Sequence, residues 1–279
     1  MRRLCILLVV CLWRVAAAET SADARITVFA IGDTGDCSLD GSRVVSAAMR
    51  AQPDWQQAWL IEAGDLAYPT ATRARLDQCH EPYFGMFMHR LAVPGNHDFN
   101  DHGGRGFRSL FPAVPRAVKL SGAWRVWLLD SNLTGKAAAR QLRWLDGQVA
   151  RRDDACIIAV WHHPRWSSGW HGDDEAMASL WQPVAGVASI TLNGHDHHYE
   201  AVPPLDATGQ PSSGGTRSFV VGNGGATLYP AVSNRHNSKT VSGRWGFLRI
   251  DIDGRHYAWR EISTAGETLD AGEGDCQLR

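Results

Sequence analysis

Five short stretches of this 279-residue sequence gather side chains able to hold metal ions. They are Gly32-Asp33-Thr34-Gly35-Asp36, Gly64-Asp65-Leu66-Ala67-Tyr68, Gly95-Asn96-His97-Asp98, His162-His163-Pro164 and Gly194-His195-Asp196-His197. Singly, each has an ordinary explanation. Asp33 or Asp65 alone would cap a helix, Asn96 would be a turn residue, and Tyr68 a packed aromatic with a satisfied hydroxyl. Turn chemistry favours Gly, Asn and Asp but does not select His, so the set together points elsewhere. His195 and His197, one residue apart, face the same way from an extended segment, as ligands of one centre must. Carboxylates, a phenolate, imidazoles and an amide are all groups that hold metal ions, the oxygen donors the harder of them. Two ions roughly 3.5–4 Å apart can clamp a phosphate, acidify a water and stabilise a leaving oxygen. No rival nucleophile is as complete, since the chain has neither a G-x-S-x-G elbow nor a Walker loop.

Such residues work only if the fold brings them together. Apolar runs at 26–31, 59–63, 91–93, 156–161 and 189–192 read as strands, and each stops at one of the five clusters. A sixth run, 124–129, stops at Asp130-Ser131. Helical patterns lie over 41–50, most of 73–89, and 137–151, where Leu142, Leu145 and Val149 share a face. Residues 100–106 are Gly-rich and polar and read as a loop. Beyond His197 the pattern changes to strands at 218–221, 247–252 and 255–262, the last two joined across Asp253-Gly254 as a hairpin. In open α/β sheets, ligands bind outside the carboxyl ends of the strands, which is where the clusters fall.

The clusters, in this order from Asp33 to Glu200, resemble the calcineurin-like metallophosphoesterases, and among them most closely the small purple acid phosphatases. Most of the superfamily carries a His two residues after the first Asp; here Gly35 stands there. Purple acid phosphatases lack that His and carry a Tyr three residues after the second Asp, which is Tyr68 here. The resemblance implies an α/β fold of α+β character, a sandwich of two mixed β-sheets flanked by helices. It implies a first metal, Fe(III), on Asp33, Asp65, Tyr68 and His197. A second ion, divalent Fe, Zn or Mn, would sit on Asp65, Asn96, His162 and His195, with Asp65 bridging. It implies an acid phosphatase-like enzyme that hydrolyses small phosphomonoesters with a hydroxide activated by the two ions. The alternatives are a phosphodiesterase on the same site and a non-catalytic scaffold on the same fold. His97 would contact the substrate phosphate, with Asp98 orienting its ring. His171, nine residues after His162, is the candidate general acid.

His163, His198 and Tyr199-Glu200 are expected to support the ligands from behind. Trp166 and Trp170 are expected to wall the substrate cleft. The turn Gly222-Asn223-Gly224-Gly225 follows the last motif as in relatives. His80, His89, His102, His236 and His256 lack motif context and default to surface or satisfied core.

Met1-Arg2-Arg3, the apolar run 4–15 and Ala16-Ala17-Ala18 read as a secretory signal peptide over 1–18, leaving a catalytic domain over 19–279. The run is too short to span a bilayer, so a secreted or periplasmic protein with no membrane span is expected. Only residues 19–25 separate the leader from the first strand, too few for the extra N-terminal domain of the large plant enzymes. Cys37, Cys79, Cys156 and Cys276 would then meet an oxidising compartment, where two disulfides allow three pairings. Cys37 and Cys79 each follow a cluster-bearing strand, on loops over the same rim, so Cys37–Cys79 with Cys156–Cys276 is expected. A formal charge of −1 with 44% hydrophobic and 20% charged residues is ordinary for a soluble enzyme and gives no support for a nucleic-acid partner. Nothing in the sequence sets the oligomeric state.

Overall fold

Val28 and Ala30 of the first strand face one way and Phe29 and Ile31 the other, and all four are fully buried. A strand covered on both faces needs no polar alternation, which is why it reads as a continuous apolar run. The computed structural model describes residues 25–234 and 236–276; the leader expected over 1–18 lies outside them. In chain order the elements are β1 (Ile26–Ile31), α1 (Gly41–Arg50), β2 (Trp59–Glu62), α2 (Arg73–Cys79), α3 (Glu81–Phe84), β3 (His89–Ala92), α4 (Asn96–Phe99), α5 (Arg105–Arg108), β4 (Arg116–Ser121), β5 (Trp124–Leu128), α6 (Gly135–Ala150), β6 (Cys156–Val160), α7 (Ala178–Val184), β7 (Ile190–Asn193), β8 (Tyr199–Leu205), β9 (Thr216–Val221), β10 (Lys239–Val241), β11 (Gly246–Asp253), β12 (His256–Ser263) and β13 (Thr268–Asp275).

The strands form two mixed sheets. One has the order β13-β12-β11-β1-β2-β3, the other β10-β8-β9-β7-β6-β5-β4. β1, β2 and β3 run parallel in the first, and β5, β6, β7 and β9 in the second. The inner faces share one core in which Val28, Ile61 and Ile250 meet Val126, Ile158, Leu192 and Phe219. Outside the first sheet, Val45 and Met49 of α1 pack on Phe29, Leu60 and Phe247. Outside the second, Leu145 of α6 and Leu180, Trp181 and Val184 of α7 cover Trp127, Ile157 and Ala159. This is the expected sandwich flanked by helices.

Two local expectations need correction, and the last strand is not among those expected. The helical pattern over 73–89 breaks into α2 and α3, and His89 begins a strand because its pairing with Trp59 continues the parallel sheet. The Gly-rich stretch 100–106 is not all loop, since α5 starts at Arg105 after a left-handed Gly104. β13, with the sequence TLDAGEGD, carries little strand propensity. Gly272 and Gly274 suit it because Trp259 and Tyr257 of β12 lie over them; a Cβ at Gly272 would sit 2.3 Å from the Trp259 ring. The cysteines pair as expected, Cys37–Cys79 and Cys156–Cys276. Among the described residues no helix is long and apolar enough to cross a membrane.

Candidate metal centre

The carboxyl ends of β1, β2 and β3 in one sheet face those of β6 and β7 in the other, and the five clusters meet at that seam. Backbone approach there is close: a Cβ on Gly32 would be 3.2 Å from Gly194 Cα. One on Gly95 would be 2.1 Å from Asp65 Oδ1, and one on Gly194 2.5 Å from Asp33 Oδ2. The glycines of the motifs are therefore steric requirements of the carboxylates beside them. Asp33, Asp65 and His195 all have positive φ (58°, 55° and 72°), a conformation that non-glycine residues hold only at a cost, and with His195 left-handed the segment from His195 to His197 is a bend and not the extended stretch expected.

Tyr68 Oη lies 2.9 Å from Asp33 Oδ1, 3.2 Å from Asp65 Oδ2 and 3.1 Å from His197 Nε2. His162 Nε2 is 3.3 Å from Asp65 Oδ2, and His197 Nε2 is 3.2 Å from Asp33 Oδ1. Carbonyl oxygens fix the other ring nitrogen of three of the histidines. His162 Nδ1 faces Ala63 O at 2.8 Å, His197 Nδ1 faces Thr227 O at 2.5 Å, and His97 Nδ1 faces Pro69 O at 2.6 Å. Donating Nδ1–H to a carbonyl leaves Nε2 as the free lone pair, the usual support of a metal-binding imidazole.

The donor set fits metal ions. Asn96 Oδ1 and His162 Nε2 are buried without a hydrogen-bond partner, a costly state unless something else coordinates them. Asp33, Asp65 and His162 present ligand atoms within 4.8 Å of one another, as do His162, His163 and His195. Burial opposes charge on Asp65, but His162 and His97 outweigh it and hold the carboxyl below its usual range. Burial likewise opposes charge on His162, yet the Asp65 carboxylate pushes it up to about 10. Burial together with Asp33 and Asp65 drives the Tyr68 phenol well above its ordinary value. The carboxylate end thus draws positive charge. At the other end, burial and the His162 charge push His163 down to about 3 and His195 lower still, leaving neutral imidazoles of the kind that bind metals.

The remaining expected residues fall as follows. The His171 ring stands 4.0 Å from the His195 ring. His97 Nε2 is 4.0 Å from Asp65 Oδ2 and its ring is 4.4 Å from that of Tyr68. Asp98 does not orient His97, contrary to expectation. Its fully buried carboxylate accepts the backbone N–H groups of Asp65 (2.7 Å), Gly95 (2.8 Å) and Leu66 (3.1 Å), so it joins the loops that carry Asp65 and Asn96. Trp166 does not wall the cleft; it packs edge-on against Trp181 beneath the Arg165 guanidinium. Trp170 does stand at the rim. Glu200 anchors Ser168, Ser238 and His198 and, among the described residues, touches none of the candidate ligands.

Three residues at the site escaped sequence reasoning. Ser131 lies 2.7 Å from His163 Nδ1, and its signal was the sixth strand end. Asp196 ties the His171 loop to the last motif. Tyr229 stacks on His197 at 4.2 Å with rings 6° apart, a contact that no local pattern announces.

A family model described as calcineurin-like phosphoesterase matches residues 26–199. Among solved structures, the chain is similar to one titled GAP50, the anchor in the inner membrane complex of Plasmodium (TM-score 0.72, 13% identity, covering 91% of this chain and 89% of that one). It is also similar to PhoD (TM-score 0.59, 11% identity, 90% of this chain and 68% of that one). At these identities the likeness concerns the fold alone. No curated protein matches significantly.

Proposed function

The chain belongs to the calcineurin-like phosphoesterase family, whose chemistry is phosphoester hydrolysis at a two-metal centre, and on that premise we propose an exported phosphomonoesterase of the purple acid phosphatase type. The observation that carries the finer reading is the Tyr68 hydroxyl, within 3.2 Å of Asp33, Asp65 and His197 at once. Asp33, Asp65, Tyr68 and His197 would hold a ferric ion. Asp65, Asn96, His162 and His195 would hold a divalent one. Bound there, the two ions supply an acidified water and neutralise charge on the phosphoryl oxygens. The chain's own groups do the rest. His97, its Nδ1 taken by Pro69 O, turns Nε2 towards the centre, where the ring would contact the substrate phosphate. His171, over His195 at the mouth, is the proton donor to the leaving oxygen. Export is supported by the leader-like first 18 residues and by two disulfides, which persist in oxidising compartments.

The test is spectroscopic and kinetic. Protein purified in air should be pink to violet from phenolate-to-iron charge transfer, and Tyr68→Phe should bleach it. Phosphomonoesters should turn over faster than diesters. A colourless, active protein with two divalent ions would overturn the purple-type assignment and leave the phosphoesterase standing. A preference for diesters would overturn the monoester reading.

A further inference from the structure

We propose that Trp170 and Tyr229 form an aromatic wall that selects phosphate esters with planar aromatic leaving groups; this rests on the phosphomonoesterase reading above. A ladder of rings climbs from the metal centre to solvent. Tyr229 stacks on His197, and Trp170 stacks on Tyr229 at 5.1 Å with 20° between planes. His171 flanks the ladder, its ring 6.3 Å from that of Tyr229. Trp170 is 63% exposed, which is unusual for an indole in a chain that buries most of its large apolar side chains. One face rests on Tyr229, and the outer end of the ladder is open to solvent.

The wall is built rather than incidental. Asp196, between ligand candidates His195 and His197, accepts from Ser167 Oγ at 2.5 Å and from the His171 N–H at 3.1 Å. Gly169 sits so close that a Cβ there would lie 2.4 Å from Asp196 Cγ. Glu200 accepts the N–H and hydroxyl of Ser168 at 2.8 and 2.7 Å. Tyr229 N–H donates to His197 O at 3.0 Å. Both aromatic residues are thus tied through short bonds to the segment that carries the ligands. A wall fixed in advance loses little entropy when it meets a substrate. With phosphate at the centre and its leaving oxygen beneath His171, the ester group extends along the ladder. Both faces of Tyr229 are already covered, so a flat ring there meets the ladder edge-to-face, a contact that a flexible polyol cannot make.

Benzyl phosphate and propyl phosphate separate the ring from the chemistry, since both leave as primary alkoxides. In Trp170→Ala the benzyl-to-propyl ratio of kcat/KM should fall by about 3- to 10-fold, and Trp170→Phe should recover most of it. Calorimetry with benzylphosphonate and propylphosphonate should show the same shift in dissociation constants without turnover. An unchanged ratio in both measurements overturns the proposal. So does an unchanged ratio accompanied by loss of a dimer in sedimentation, which would make this rim a self-association surface. Failure of the wild-type protein to hydrolyse either ester would instead refute the phosphomonoesterase reading, and the phosphonate titrations would still decide the wall.

Discussion

One oxygen of Asp65 accepts the His97 N–H at 2.8 Å while the other faces Tyr68 and His162, so this side chain touches both halves of the centre. Asp65→Asn should therefore lose at least one ion and nearly all hydrolysis. His97→Ala and His171→Ala act further out and should keep both ions while turnover slows by about 10²- to 10⁴-fold. Metal analysis beside steady-state rates checks all three, and full activity in Asp65→Asn would falsify the location of the site. Asp98 shows how a motif residue can be read correctly as important and wrongly as to role. Its neighbour in sequence is His97, but its carboxylate is surrounded by three N–H donors from two loops. Adjacency along the chain said nothing about which way that side chain turns.

At the scale of elements, buried charge is what ties strands to their neighbours. Glu62 at the end of β2 meets His80 at 2.6 Å and Arg90 of β3 at 3.2 Å, and His80 and Arg90 both reach Glu81 of α3. That network explains His80 as a satisfied core histidine. Glu261 of β12 is less well served. Oε1 accepts from Asn223 at 2.7 Å, but Oε2 is buried without a partner. Burial pushes this carboxyl up to about 8 from an ordinary 4.5, despite the Asn223 bond. The folded state therefore holds a proton that the unfolded chain releases near 4.5. Stability from that proton is complete below about 4.5 and is lost as pH rises to about 8, a change of about 5 kcal/mol at most. Glu261→Gln should flatten the fall, giving a higher Tm than wild type above pH 8 and no gain below pH 5. Parallel slopes of Tm against pH for the two proteins would refute this.

For the molecule as a whole, the two disulfides close very different loops. Cys156 begins β6 of the second sheet and Cys276 follows β13 of the first, 120 residues apart, whereas Cys37 and Cys79 are separated by 42. In the chain-entropy model a bridge contributes about 2–4 kcal/mol, and the longer loop contributes about 1 kcal/mol more than the shorter. Replacing Cys156 and Cys276 by Ala should therefore lower Tm further than replacing Cys37 and Cys79, as thermal melts of the two double variants would show. The shorter bridge joins the loop after Asp33 to α2, so its loss should be felt more in metal retention than in melting.

Sequence by itself determined the class of fold, the cluster-bearing strands and the set of candidate ligands. Buried parallel strands must be continuously apolar, and residues that bind ions must be Asp, Asn, His or Tyr wherever they fall, so both signals survive in one dimension. Fit of the ions, by contrast, was decided in three dimensions. Carbonyls from Ala63 and Thr227 turn the imidazoles, and the closeness of the seam explains Gly95 and Gly194. The glycine-bearing strand β13 pairs with β12, whose aromatic rings occupy the space its glycines leave. Tyr229, 32 residues beyond His197, reaches the site only through the return of the chain after β9. Contacts of this kind depend on how separate segments approach, and no local pattern of residues encodes that approach.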